Sequence, residues 1–371
     1  MVDDRGGPPP PSAPLPPRRR RRPLVAVGTV AAIVVVLVVL GGALIRLPYV
    51  LIAPGTASAV ERVVKIDGAP TYAHHGELLF LTVSVSSDRP NAFAVLSGWL
   101  DDDTDVVPED DVLQGRSRAE DARLNKLEMA DSQMTAKQVA LERLGYTVPK
   151  TGTGSVVTAV QKGSPAQGKL RVGDVITAVD GQPITLADQL GPIVRSRPPG
   201  APVTFTVDRE GTTSPVAVDT RATPEGPCQG RAQIGVQSST RMEKFDFPVD
   251  VKIDTGRVSG PSAGLAFTLT ILDELTPGDL TGGKNVAVTG TIRPDGSVGP
   301  IGGAQQKAVT ARQAGAKLFL VPNAEVKEAR SRAGGMKVVG IGTLDDALTE
   351  LHRFGGADTG LPPAPPSPAC P

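Results

Sequence analysis

A serine and a lysine can share acyl-transfer chemistry when the lysine gives up its charge, and this chain sets one of each at the start of a predicted helix. Gly260-Pro261-Ser262-Ala263-Gly264 places Ser262 ahead of an apolar run, and Ile301-Gly302-Gly303-Ala304-Gln305-Gln306-Lys307 places Lys307 in the first turns of a second helix. A serine hydroxyl is a weak nucleophile until a base takes its proton. Lysine is such a base only when desolvation brings it down from about 10.4 by about 2–3 units. Ile301, Ala304 and Val309 are suitable apolar neighbours, and no acidic residue lies between Gly296 and Glu325. At a helix start the amides of Gly260, Ser262 and Ala263 face no intrahelical acceptor and are candidates to hold an oxyanion. The rival base is His352, the only histidine after Leu78, which a Ser-His-Asp arrangement would require.

The elements that must position these residues are legible around them. Val249 to Ile253 alternates as a strand; Leu265, Leu269, Leu272 and Leu275 recur at helical spacing after Ser262. Pro261 suits the helix start, where its missing amide proton costs nothing. Asn285 to Val288 reads as a strand, Thr289-Gly290-Thr291-Ile292 leads to the turn Pro294-Asp295-Gly296, and AQQKAVTARQAGA reads as the helix that carries Lys307. The segments GPSAG, VTGTI, PIGGAQQKAV and AGAKLFLVP resemble the proteolytic domain of Lon proteases, here over 228–353. The resemblance implies that Ser262 is the nucleophile, Lys307 the general base and Thr289 a hydrogen-bonding support for the pair. Thr291 stands where that family usually carries glutamate. Lon proteases usually carry a nucleotide motor as well, yet GDLTGGKN (Gly278 to Asn285) has Asn285 where a Ser or Thr would bind magnesium and runs into a strand, so no ATP is expected.

Before this domain, residues 141–222 alternate Val-rich strands with Gly and Pro. Gly163-Ser164-Pro165-Ala166, Gly173-Asp174-Val175-Ile176 and Val179-Asp180-Gly181 resemble the PDZ family, with Asp180-Gly181 as a hairpin turn and Leu186 to Ser196 as the helix. The resemblance implies binding of an extended peptide by strand addition, with a carboxylate loop near Gly145-Tyr146-Thr147-Val148. The region 46–140 offers the strand Leu78 to Val85, a turn at Pro54-Gly55, and a helix from Asn125 to Leu144 with Met129, Met134 or Ala136, Val139, Ala140 and Leu144 on one face. Its acidic stretches, Asp101-Asp102-Asp103-Thr104-Asp105 and Glu109-Asp110-Asp111, lack the glycine of a calcium loop and read as solvated loop.

The N-terminus supplies a location. Residues 1–23 are Pro-rich and end in the basic block Arg18 to Arg22, read as a disordered cytoplasmic tail; 24–45 has no charge and, at about 33 Å as a helix, crosses a bilayer core. The basic flank keeps that end in the cytoplasm and puts the rest outside. A cleaved signal peptide, with Ala57-Ser58-Ala59 as the cleavage site, is the rival reading and calls for a shorter apolar core. Lys+Arg and Asp+Glu both number 39, a balance that argues against nucleic acid as a partner. Two cysteines and three histidines complete no metal cluster, and a Cys228–Cys370 disulfide and two separate thiols stay open; 354–371 is a Pro-rich tail. The expected class is α+β and multidomain: a transmembrane helix, a β-rich PDZ-like domain and an α+β Lon-type domain. The expected function is an ATP-independent, membrane-anchored serine endopeptidase, without cofactor or metal, acting on unfolded extracytoplasmic proteins and open to homo-oligomer formation. A non-proteolytic peptide-binding scaffold is the alternative.

Overall fold

The computed structural model describes residues 22–226 and 228–361. The stretch read as a disordered tail up to Arg21, and Cys370 with the rest of 362–371, lie outside the described residues; Cys228 is disulfide-bonded. The chain forms two compact units. One combines the residues up to Leu51 with Val85–Gln114, the other combines Ile52–Ser84 with the residues from Gly115 onward.

In the first unit, helix α1 spans Arg22–Leu44, and its window Val27–Leu44 is long and apolar enough to cross a membrane, with none of it buried. Helix α2 (Ala92–Leu100) starts at Asn91, whose side chain accepts the Ala94 amide at 2.8 Å. The acidic stretch departs from a plain loop. Asp105 opens the strand Asp105–Pro108, and Glu109, Asp110 and Asp111 form the first turn of the short helix α3 (Glu109–Leu113), where carboxylates complement the helix dipole. Glu109 is buried because Arg89 Nε donates to it at 2.6 Å. Asp101 closes its own turn, accepting the Thr104 hydroxyl at 2.7 Å.

The second unit contains a mostly parallel sheet and a separate antiparallel one. Helix α4 (Arg118–Arg143) begins seven residues earlier than its apolar spacing shows, at a capping box in which Ser117 and Glu120 satisfy each other's amides. Its buried face holds Met129, Ala136, Val139 and Ala140, with Met134 only half-buried. In the mostly parallel sheet Lys337–Ile341, Leu318–Pro322, Asn285–Val288 and Glu77–Val85 pair in parallel, and the strand that ends at Ala59 runs antiparallel beside Glu77–Val85, with Ser86 N bonded to Leu51 O and Thr56 facing Thr82. Strand alternation sorts its side chains. Leu78, Phe80, Val286, Val288, Leu318 and Leu320 join one core, while Leu79, Leu81, Ala287, Phe319 and Val321 join the other. Two faces therefore need two covers. Beyond the small helix α5 (Leu190–Arg195), α6 (Gly264–Leu275) packs into the first core and α7 (Ala304–Gln313) into the second, with α8 (Val326–Arg332) beside it and α9 (Leu344–Arg353) back in the first.

Two sequence expectations change here. Pro54-Gly55 is no turn but the middle of the strand Tyr49–Ala59. A Cβ on Gly55 would meet the Thr82 hydroxyl oxygen at 2.4 Å, so glycine marks a close strand approach, and that hydroxyl takes over as a ladder partner by accepting the Thr56 amide at 2.8 Å. Glu77–Val85 also pairs in register with Asn285–Val288, so the sheet of the expected 228–353 domain draws a central strand from far upstream.

The antiparallel sheet runs Thr212–Asp219, Pro202–Arg209, Val175–Val179, Ser155–Val160, Val236–Thr240 around its own core, which includes Val157, Ile176, Phe205 and Ile234. Asp180 and Gly181 both take positive φ (50° and 80°), the signature of the two-residue turn that their sequence suggests.

Candidate active site

Thr289 follows the carboxyl end of the strand Asn285–Val288, the end of a parallel sheet at which open α/β folds assemble their sites. The loop ahead of α6 is tied there by two reciprocal backbone bonds: Gly290 N donates to Ser262 O at 2.9 Å, and Leu265 N donates to Gly290 O at 3.1 Å. A Cβ on Gly290 would lie 2.7 Å from Val298 Cγ1, so the residue between Thr289 and Thr291 has to be small. From the other side α4 fixes the same loop. Ser132 Oγ donates to Pro261 O at 2.9 Å, and Asn125 O accepts the Gly260 amide at 2.9 Å. On the opposite face of the sheet, Gly303 turns the chain into α7 with φ 67°, where a Cβ would strike Val83 at 2.7 Å. Lys307 sits one turn further, its amide bonded to Gly303 O.

These constraints bring the sequence-named residues together. Lys307 Nζ donates to Ser262 Oγ at 2.8 Å and to Thr289 Oγ1 at 3.1 Å, while the Thr289 hydroxyl donates in turn to Ser262 O at 3.2 Å. Lys307 is only 2% exposed and Thr289 is fully buried, whereas Ser262 is half-buried and open to a reactant. Burial pushes the lysine down to about 7, and the charge of Glu325 pulls it partly back up. The stretch without acids around Lys307 in the sequence thus gains one in space. The amides of Ser262 and Ala263 take no acceptor among the described residues. The expected use of the Gly260 amide fails, because its proton is already given to Asn125. His352 Nδ1 lies 3.2 Å from Gly356 O at the end of α9. Lys284 of GDLTGGKN donates to Phe354 O at 2.5 Å and covers the Phe354 ring, with a strand following.

Part of the stretch expected to hold a terminal carboxylate is already engaged. The Gly145 and Tyr146 amides close the end of α4 on Glu142 O and Leu141 O, and Val148 is buried in the first core. The antiparallel sheet ends at Val236–Thr240, where Thr240 Oγ1 accepts the Ala187 amide at 3.0 Å from the turn leading into α5. A strand contributed from beyond residue 222 has no local signal within 141–222.

One histidine does meet carboxylates: His74, Asp273 and Asp279 offer ligand atoms within 4.8 Å of one another. Asp279, however, accepts four hydrogen bonds, from the Thr281 amide and hydroxyl and from the His75 and Gly283 amides, which occupies the lone pairs of its two oxygens. His74 Nδ1 stands 3.6 Å from Asp273 Oδ1, too far for a hydrogen bond. The cluster acts on stability. Burial, with the charges of Asp279, Glu61 and Glu274 adding to it, pushes the Asp273 carboxyl up to about 7. The folded protein then binds a proton that the unfolded chain, near its ordinary 3.8, has released, so stability falls as pH rises from about 4 to 7 and levels off above. Asp273→Asn keeps an acceptor for the Leu280 amide and removes the charge. Thermal denaturation is expected to show the variant more stable than the parent at pH 8, by roughly 1–3 kcal/mol, with the gain lost by pH 5.

Residues 231–351 match the Lon protease (S16) C-terminal proteolytic domain, and residues 142–220 match the PDZ domain. The Lon protease of Azospirillum brasilense is 36% identical over 115 residues, 29% of this chain and 14% of that protein; Lon protease 2 of Bacillus subtilis is 32% identical over 120 residues, 32% and 20% respectively. Among solved structures, the PDZ domain of an SdrC-like protein from Listeria innocua is 24% identical, covering 23% of this chain and 92% of that one with a TM-score of 0.21. The chain therefore carries a serine peptidase domain of Lon type, in a mixed helix and sheet fold. It also carries a PDZ domain, and it spans less than a quarter of the length of the curated relatives it matches.

Proposed function

We propose that the chain is a membrane-anchored serine endopeptidase that cuts unfolded or flexible extracytoplasmic proteins without ATP, through Ser262 and Lys307. The single observation that carries this is the 2.8 Å contact between Ser262 Oγ and an almost fully buried Lys307 held down near 7. A neutral Lys307 takes the Ser262 proton as Oγ attacks the scissile carbonyl. The oxyanion turns toward the Ser262 and Ala263 amides, the lysine returns the proton to the leaving amine, and water then releases the acyl group by the same route. Thr289 holds the lysine in line while tying the serine carbonyl, so both reacting groups keep one geometry.

α1 anchors the protein, with the basic flank in the cytoplasm and the site outside. The PDZ domain takes an extended segment of substrate along the open edge of Val236–Thr240 and selects or gates what reaches Ser262. Domain limits of 24–45 for the anchor, 141–222 for the peptide module and 228–353 for the peptidase serve this reading, with 46–140 contributing a strand and α4 to the peptidase fold. Assembly into a homo-oligomer is compatible with it. The test is hydrolysis of an unfolded casein-like substrate by the full chain in detergent micelles. Cleavage at equal rate with and without ATP is expected, whereas a scaffold would leave the substrate intact.

A further inference from the structure

Apart from α1, the largest exposed apolar side chains of the first unit gather on α2. The helix carries no charged residue, and its inner side is fixed: Val95 is buried, and a Cβ on Gly98 would reach Val106 at 2.9 Å and Leu51 at 3.1 Å. The other side presents Phe93, Leu96, Trp99 and Leu100, exposed by 43%, 51%, 63% and 78%. Large residues of this kind on one side of a short helix mark an interaction surface. A second contact says which surface. The Phe93 ring rests on Gly42 in the last turn of α1, where an added Cβ would come within 2.6 Å of it. Gly42 is two residues from the helix end at Leu44, about 3 Å of rise. The start of α2 is thereby held at the depth of the final turn of α1, whose apolar side chains from Val27 to Leu44 are exposed. Trp99 stacks edge-on against Tyr49 at 6.2 Å, an aromatic pair of the kind enriched where hydrocarbon meets water.

We propose that α2 is a second membrane contact: it lies in the outer interface of the bilayer that α1 spans, with Phe93, Leu96, Trp99 and Leu100 in the lipid. This rests on α1 acting as the anchor. The occupant is lipid because the exposed side of α2 continues the lipid-facing surface of α1 through the Phe93–Gly42 contact, and interfacial helices bury apolar side chains to this shallow depth. Asp101, Asp102 and Asp103 follow directly and mark the water side, so attraction to anionic lipid has no part in the binding.

Trp99 is the only tryptophan in the chain, which makes its emission a direct reporter. The full chain is reconstituted into phosphatidylcholine vesicles, with and without bromine on the upper acyl chain, and titrated with aqueous iodide. Bromolipid is expected to cut the emission at least twofold, and the iodide quenching constant to fall severalfold below that of the urea-unfolded chain. A Trp99→Phe, Leu96→Trp variant is expected to give the same pattern from the neighbouring position. Emission quenched by iodide as freely as in urea overturns the proposal, as does emission shielded from both quenchers, which would place α2 against protein. In either case the chain still floats with the vesicles. A chain that does not float overturns the anchor and this inference with it.

Discussion

Ser262→Ala is expected to lower kcat/KM on an unfolded substrate by about 10⁴-fold or more, the scale at which removal of a nucleophile leaves only binding and oxyanion stabilisation. The loss should come with little change in fold. The hydroxyl is half-buried, and the loop's backbone bonds to Gly290, to Asn125 and to Ser132 do not involve it. The variant should therefore keep its melting temperature while losing turnover. A variant that stayed within tenfold of the parent would remove Ser262 from the chemistry.

The second large effect belongs to Lys307. Lys307→Met fills similar volume with an apolar group and is expected to cost a comparable factor in rate. Lys307→Arg should be no rescue, because a guanidinium keeps its charge and cannot accept the serine proton. The two variants part on stability. The folded lysine is held near 7 against an ordinary 10.5, so between those values the unfolded chain binds more protons and stability rises with pH. Below 7 the native protein carries a buried ammonium, and at pH 6 Lys307→Met should be more stable than the parent by an amount on the order of 1–4 kcal/mol. That advantage should close by about pH 10, while Lys307→Arg should be destabilised throughout, as read by chemical denaturation across pH.

Ser262 and Lys307 are legible in the sequence as a candidate pair because each sits in a short motif with its own local logic. Ser262 stands where a Gly-Pro turn meets an apolar helix, and Lys307 follows a glycine that only a left-handed turn explains. What supports them was not legible. Asn125 and Ser132 lie on a helix whose spacing shows its buried face but not the loop it will hold. Glu325 is 18 positions from Lys307 and reaches it only because the strand Leu318–Pro322 returns beside Asn285–Val288. Pro54-Gly55 has the composition of a turn, and only the Thr82 hydroxyl across the sheet shows why a strand passes through it. The outer strand of the antiparallel sheet is out of reach of a short window for the same reason, since Val236–Thr240 joins Ser155–Val160 across some 80 residues. Local periodicity fixes an element's type. Which strand lies next to which is decided by burial of both sheet faces, and no short window contains that.

The most direct test of the central claim is the rate at which a serine-directed acylating probe modifies the full chain, followed by mass spectrometry across pH. The account predicts one adduct, on the peptide that carries Ser262, forming at a rate that rises through a midpoint near pH 7 and is lost in Lys307→Met. An adduct on another serine, or a Ser262 adduct whose rate ignores both pH and Lys307, would contradict it.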